Sequence, residues 1–222
     1  MTRPGRIALA AAVLAAALAG CAAAPPKKDL TAFRSADPRS ILIVPVLNQT
    51  VFVNAPDYLL TTLPVPVAER GYYVFPVHLV RRLLEDDGLA DAGLVHAADP
   101  AKLCALFGAD SVLYVTIERW DAQYLVLSTN VTVHLGYRIR DCKTGESIWD
   151  AQRMKVYSSG SGQSSGNPLA DLVVMAVSAA ITRAAPNYMP LARQANEEAL
   201  AWPGPGIPPG PYHRDYGKAG TP

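Results

Sequence analysis

Leu125-Val126-Leu127-Ser128-Thr129-Asn130-Val131-Thr132-Val133-His134-Leu135-Gly136-Tyr137-Arg138-Ile139 is the stretch that decides the fold. Its odd positions Leu125, Leu127, Val131, Val133, Leu135, Tyr137 and Ile139 are apolar, and the even positions include Ser128, Asn130, Thr132, His134 and Arg138. Successive side chains of a strand point to opposite faces, so a period of two reads as a long antiparallel strand with one face on a core and one polar. Asp141-Cys142-Lys143-Thr144-Gly145 turns the chain, and Ser147 to Tyr157 returns as the hairpin partner. Ser111 to Trp120, just upstream, reads as a further strand.

Further toward the amino end, Ile41-Leu42-Ile43-Val44 is apolar on both faces, which suits a strand in the middle of a sheet, and Pro45 ends or edges it. Pro56 to Arg70 reads as helix broken by Pro64 and Pro66, with Gly71 as its stop. Tyr72-Tyr73-Val74-Phe75 is a short strand closed by Pro76. Val77 to Asp87 is a helix with Leu79, Val80, Leu83 and Leu84 on one side and Gly88 after it. Asp99-Pro100 gives an N-cap and first-turn proline for a helix that runs to Phe107 before Gly108.

Downstream of the hairpin, Ser158 to Gly166 is a Ser/Gly loop. Asn167 caps and Pro168 starts a helix to about Ala185, with Leu169, Val173, Val177 and Ile181 on one stripe and Leu172, Met175, Ala176 and Ala179 on a second. Such a helix needs more than one partner surface, either as a central core element or as a dimer contact. Pro190 to Trp202 forms a last helix. The order of elements gives an α/β fold, a mixed β-sheet flanked by helices packed on one main face.

The first residues set the compartment. Arg3 and Arg6 precede an apolar run from Ile7 to Ala19, and Leu18-Ala19-Gly20-Cys21 follows. This is the layout of a secretory signal, too short for a spanning helix. A leucine-small-small-cysteine ending resembles the bacterial lipoprotein signal, in which the Cys21 thiol is acylated and becomes the first residue; sulfur is the strong nucleophile required. Two or more acyl chains (palmitate and its kin) anchor a protein stably. Ala22 after the cysteine resembles the pattern released to the outer membrane. The expected organisation is a signal over 1–20, a flexible tether over 21–39, a single α/β domain over 40–202 and a disordered Pro/Gly-rich tail over 203–222.

The chain carries 20 basic and 19 acidic residues, 18 and 19 once Arg3 and Arg6 leave with the signal. Such a neutral chain without a basic stripe argues against nucleic-acid binding. His78, His96, His134 and His213 do not fall at metal-ligand spacings, and Glu85-Asp86-Asp87 lacks a calcium-loop pattern, so no metal or cofactor site is expected. Gly162-Gln163-Ser164-Ser165-Gly166 matches the nucleophile-elbow pattern literally. A loose low-complexity loop is a poor nucleophile elbow, and the sole downstream histidine, His213, lies in the tail. No catalytic residue is therefore assigned, with Ser164 kept as the hydrolase alternative. Cys104 and Cys142 are the remaining thiols, open to one disulfide in an oxidising compartment or to two free thiols.

Asp37-Pro38-Arg39-Ser40-Ile41-Leu42-Ile43-Val44-Pro45, Leu47-Asn48-Gln49, Gly71-Tyr72-Tyr73-Val74-Phe75-Pro76, Phe107-Gly108-Ala109-Asp110-Ser111-Val112-Leu113-Tyr114-Val115 and Gly145 with Ile148-Trp149 together carry a likeness. The chain resembles, from the signal to about residue 200, a bacterial lipoprotein family of unknown function best known for a genome-derived neisserial vaccine antigen. The tail after Trp202 departs from it. The resemblance implies a fold like the amino-terminal domain of the Tol-system translocation protein and the periplasmic domain of curli-secretion lipoproteins, often paired as a homodimer. It implies an assembly or secretion accessory working beside a curli-secretion-type lipoprotein, held at the outer membrane and facing the periplasm, and no catalytic residue. A periplasmic ligand-binding module is the alternative.

Overall fold

The computed structural model describes residues 28–124, 129–158, 187–200 and 206–218. Cys21, Leu125, Leu127, the Ser164 loop and the helix expected from Pro168 lie outside the described residues.

Among the described residues, thirteen elements follow one another. They are α1 (Thr31–Ala36), β1 (Ser40–Ile43), β2 (Leu47–Asn48), α2 (Ala55–Leu60), α3 (Pro64–Glu69), β3 (Tyr73–Val74), α4 (Val77–Asp86), α5 (Ala92–Ala97), α6 (Pro100–Phe107), β4 (Ser111–Tyr124), β5 (Thr129–Asp141), β6 (Ser147–Ser158) and α7 (Met189–Leu200). The strands form one mixed sheet in the order β3-β1-β4-β5-β6, with β2 also pairing β4. β3, β1 and β4 run parallel, as do β2 and β4. β4, β5 and β6 run antiparallel. The period-two reading holds for β5 from Thr129 onward, while β4 runs past the expected Trp120 to Tyr124, where it pairs with Thr129, and positions 125–128 of the expected strand lie outside the described residues.

β1 and β2 lie along the same side of β4, since Ile43 pairs with Leu113 and Leu47 with Thr116. Pro45 between them has no N–H to give to a ladder, which breaks one strand line into two. A clip fixes the start of this parallel pair. Asp110 Oδ2 accepts from the backbone N–H of Arg39 and Ser40 and from the Ser40 hydroxyl, while Ser40 Oγ accepts from the Asp110 N–H at 3.0 Å.

The four apolar residues expected at the centre of the sheet are completely buried and divide between two layers. Ile41 and Ile43 join Leu113, Val115, Ile117, Val131, Val133, Leu135, Tyr137 and Ile139 in the larger core. That core is closed by Phe33 of α1, Leu59 of α2, Val67 of α3, and Ala192, Ala195, Ala199 and Leu200 of α7. Leu42 and Val44 face the other way, with Val112 and Tyr114, onto Val80 and Leu84 of α4, Val95 of α5 and Leu103 of α6. The expectation of helices on one main face is therefore corrected: a parallel strand with no polar face must be covered twice. On α4, Val80 and Leu84 are buried, but Leu79 and Leu83 of the expected stripe stay exposed. α6 follows its sequence signals: the Asp99 carboxylate accepts from the Ala101 N–H, Pro100 stands in the first turn and Gly108 closes the helix in the left-handed conformation.

Two other boundaries differ. The expected tether holds α1, whose Phe33 is buried edge-on against Tyr72 at 6.1 Å. The expected disordered tail is docked over 206–218. Ile207 is fully buried, the Tyr72 hydroxyl donates to Pro208 O at 2.7 Å, and the Gly210 N–H donates to Arg70 O at 2.7 Å. Composition alone signals disorder here, but the crossing depends on two glycines. A Cβ on Gly210 would meet Gly71 O at 2.5 Å, and one on Gly71 would meet the His213 backbone N at 2.4 Å. Gly71 also has φ +81°, which only glycine adopts readily.

Candidate functional site

The alternation that buries the odd side of β5 leaves its even side as the floor of a groove. On this floor Tyr114, Arg138 and Asp150 form one row across β4, β5 and β6, and Thr116, Gly136 and Gln152 form the next. His96 of α5 and Gln49 just after β2 build one wall, and the cavity measures about 340 Å³. The larger core below is mainly apolar, so the antiparallel half of the sheet has one apolar and one polar face.

A bulge shapes the middle of the groove. Ile117 pairs with Leu135 and Arg119 with His134, so Glu118 is the extra residue. This explains why Ile117 and Trp120, three apart, both reach the same core. Glu118 lies across the sheet: its Oε1 accepts from the Gln152 side-chain amide at 3.2 Å, and its Oε2 is 3.1 Å from His134 Nδ1. Gly136 makes the room, since a Cβ there would stand 2.8 Å from Glu118 Oε1. His134, expected on the polar face, is found there and paired with this carboxylate.

The basic end of the groove is different. Arg140 donates from Nε to Gly145 O at 2.7 Å, leaving its terminal nitrogens for other partners. No ion pair or hydrogen bond engages Arg138 among the described residues. The Asp150 carboxylate lies 3.9 Å from Lys28 Nζ. Tyr114 is 6% exposed, and its hydroxyl is buried with no hydrogen-bond partner among the described residues. Its ring meets that of His96 edge-on at 5.1 Å. Burial pushes the Tyr114 phenol above its ordinary value against the pull of Arg140, so the group stays a protonated donor. The His96 Nε2 lies 3.0 Å from Pro45 O; burial lowers the imidazole's pKa, against that hydrogen bond.

Cys104 of α6 and Cys142 of the β5–β6 turn are joined in a disulfide with their Cα atoms 5.9 Å apart. The bond ties the helix layer to the end of the groove floor. His78 is exposed on α4, and His213 sits in the docked tail 3.7 Å from Asp215. Of the histidines singled out in the sequence, the structure brings His96 to the groove wall and His134 to the Glu118 carboxylate on its floor, with Arg138 of the polar series lining the same groove. Sequence reasoning missed Glu118, Gly136 and Tyr114 as parts of a site. The one available signal was Gly136, a glycine interrupting the polar series of an otherwise regular strand.

The chain is similar to known proteins in both sequence and structure. Residues 28–212 match the family described as "Putative lipoprotein GNA1162-like". The match runs past Trp202, so the tail does not depart from the family as expected. The chain is 38% identical over 124 residues to the "Putative lipoprotein NMB1124/NMB1162" of Neisseria meningitidis serogroup B (strain ATCC BAA-335 / MC58), covering 56% of this chain and 58% of that relative. The alignment thus spans less than two thirds of the curated relative's length. The crystal structure of lipoprotein GNA1162 from Neisseria meningitidis superposes with a TM-score of 0.54 at 34% identity, over 68% of this chain and all of that one. The PelC L103M dodecamer from Paraburkholderia phytofirmans is a more distant likeness, with a TM-score of 0.42 and 15% identity over 71% of this chain and 92% of that one.

Proposed function

Because the chain belongs to the GNA1162-like lipoprotein family, we propose that it is a lipid-anchored, non-enzymatic accessory of the bacterial envelope that works through the open face of its sheet. The observation that carries this reading is the groove itself. A long sheet face is left uncovered beside one covered on both sides, and it holds a free guanidinium and a buried unpaired hydroxyl. A buried hydroxyl kept in that state costs free energy, which a bound partner would relieve, while the exposed guanidinium is available to the same partner.

Cys21 is the proposed lipid-bearing residue, with the outer membrane as its home and the periplasm as the compartment the domain faces. No helix among the described residues is long and apolar enough to cross a membrane. The role in assembly or secretion, beside a curli-secretion-type lipoprotein, rests on the family resemblance. Self-association through the helix opened by Pro168 belongs to the same proposal and rests on that helix's double apolar stripe.

Metabolic acyl labelling tests the anchor: label on the wild type and none on Cys21→Ser is expected, and equal label on both contradicts it. Crosslinking in cells and purification of the full-length protein tests the role. A discrete envelope partner recovered with wild type and lost with Gln152→Arg supports the groove as the working surface. A partner retained equally by both moves that surface elsewhere. Esterase activity abolished by Ser164→Ala would overturn the non-enzymatic reading.

A further inference from the structure

The groove is electrically polar along the strands. At one end the Glu118 carboxylate is saturated by His134 and Gln152 and repels a second negative charge. At the other end stand Arg138, which no ion pair engages among the described residues, the terminal nitrogens of Arg140 and the buried Tyr114 hydroxyl. One carboxylate, Asp150, stands beside them, opposite Arg138 and 3.9 Å from Lys28 Nζ, so that end keeps an excess of positive charge. Arg138 lies directly opposite Tyr114 in the ladder, and Arg140 lies two residues further along the same face. Two residues of strand span about 6.6 Å, so the two guanidinium groups can converge on one group between them.

Guanidinium forks match the paired oxygens of a carboxylate or phosphate, and a neutral hydroxyl donor adds a third hydrogen bond to the same oxyanion. The Tyr114 hydroxyl has no acceptor for its proton among the described residues, and its side chain lines the cavity. Taking the groove as the working surface, we propose that this end of it is an oxyanion site, built from Tyr114 Oη, Arg138 and Arg140, for the carboxylate or phosphate of a small ligand. The rest of that ligand extends over Gly136 toward Glu118, where a neutral or cationic portion fits and a second anion does not. The cavity of about 340 Å³ accommodates a small molecule or a short side branch rather than a folded partner.

The test is calorimetric titration of the full-length protein in detergent with succinate and, separately, inorganic phosphate at low ionic strength. Saturable binding on the order of 1 mM is expected for at least one of them, and the tighter arm assigns the carboxylate or the phosphate class. Arg138→Gln removes an exposed side chain and is expected to weaken binding about tenfold. Tyr114→Phe deletes only the unpaired oxygen, so it is expected to fold as wild type and still lose several-fold in affinity. Binding of neither anion, or identical binding by wild type and both variants, overturns the site. The outcome is separable from the partner reading: anion binding that is lost in Arg138→Gln, with no partner recovered in cells, upholds the oxyanion site and removes the larger role.

Discussion

The two halves of the sheet treat the same backbone differently. In the parallel half, Leu42 and Val44 are covered by α4, α5 and α6 while Ile41 and Ile43 are covered from the other side, so between Ile41 and Val44 no polar side chain has a place on either face. In the antiparallel half, Val133, Leu135 and Tyr137 are buried below while Gly136 and Arg138 line a groove above, with His134 on the same face paired to its Glu118. Parallel strands need crossover helices and are roofed by them; a hairpin needs only a turn and leaves a face free. The first half is scaffold and the second carries the chemistry.

The largest expected contrast is in packing. Leu42→Ala empties space between two layers at a residue with no exposure and is expected to cost about 2–5 kcal/mol. Met154→Ala, 58% exposed on β6, is expected to change stability by no more than about 0.5 kcal/mol. Urea denaturation measures both, and similar values would erase the distinction between the halves.

Next in size is the bond that crosses between them. Cys104 and Cys142 are 38 residues apart, and closing that loop contributes about 4 kcal/mol on the chain-entropy account. Cys104→Ser with Cys142→Ser is expected to lower the urea midpoint accordingly, and reducing agent should do the same to wild type alone. A midpoint unmoved by reduction would place the two thiols apart.

A smaller effect concerns the edge of the parallel half. Gly210→Ala sets a Cβ against Gly71 O and the Tyr72 ring, neither of which can swing aside as a flexible side chain would. A loss of about 1–3 kcal/mol is expected, with earlier proteolytic cleavage between Ile207 and Lys218. Unchanged cleavage would show that the docked tail adds nothing to the fold.

The smallest is a pH effect at the boundary, where His96 stands between Pro45 and Tyr114. Its pKa is lowered from 6.5, chiefly by burial, so below about 6.5 the unfolded chain binds a proton that the folded one resists. Stability is therefore full above that pH and falls as the pH drops from about 6.5 toward the lower folded value, by at most about 1.4 kcal/mol per pH unit. Urea midpoints at pH 7.5 and 5.5 should differ less in His96→Gln than in wild type; equal differences would assign the effect to other groups.

What could be read from the sequence follows from how local each signal is. The alternation of β5 from Thr129 onward, the Asp99-Pro100 start of α6 and the break before Pro64 are written within a few residues and appear where expected. Pro66 does not break the chain again, because it lies in the first turn of α3, where its missing N–H costs nothing. α1 and α5 span six residues apiece, too short for a helical period to emerge, and only Phe33 and Val95 respectively are buried. The docked tail was illegible because its order comes from Gly71, Tyr72 and Asp37, far away in the chain. The groove was illegible for the same reason. Its floor depends on the register of three strands and on a one-residue bulge at Glu118, and Tyr114 looks like an ordinary core aromatic until its hydroxyl is seen to lack a partner.

The claim that the open face does the work is tested most directly by photo-crosslinking amino acids placed singly in the full-length protein in cells. Positions Arg138 and Gln152 sit in the groove; Arg82 and Asp86 are equally polar positions on α4, over the parallel half. Discrete crosslinked species from the two groove positions, and none from the two helix positions, is the result predicted. Crosslinks arising from α4 alone would contradict the account and make the helix layer the surface that meets the partner.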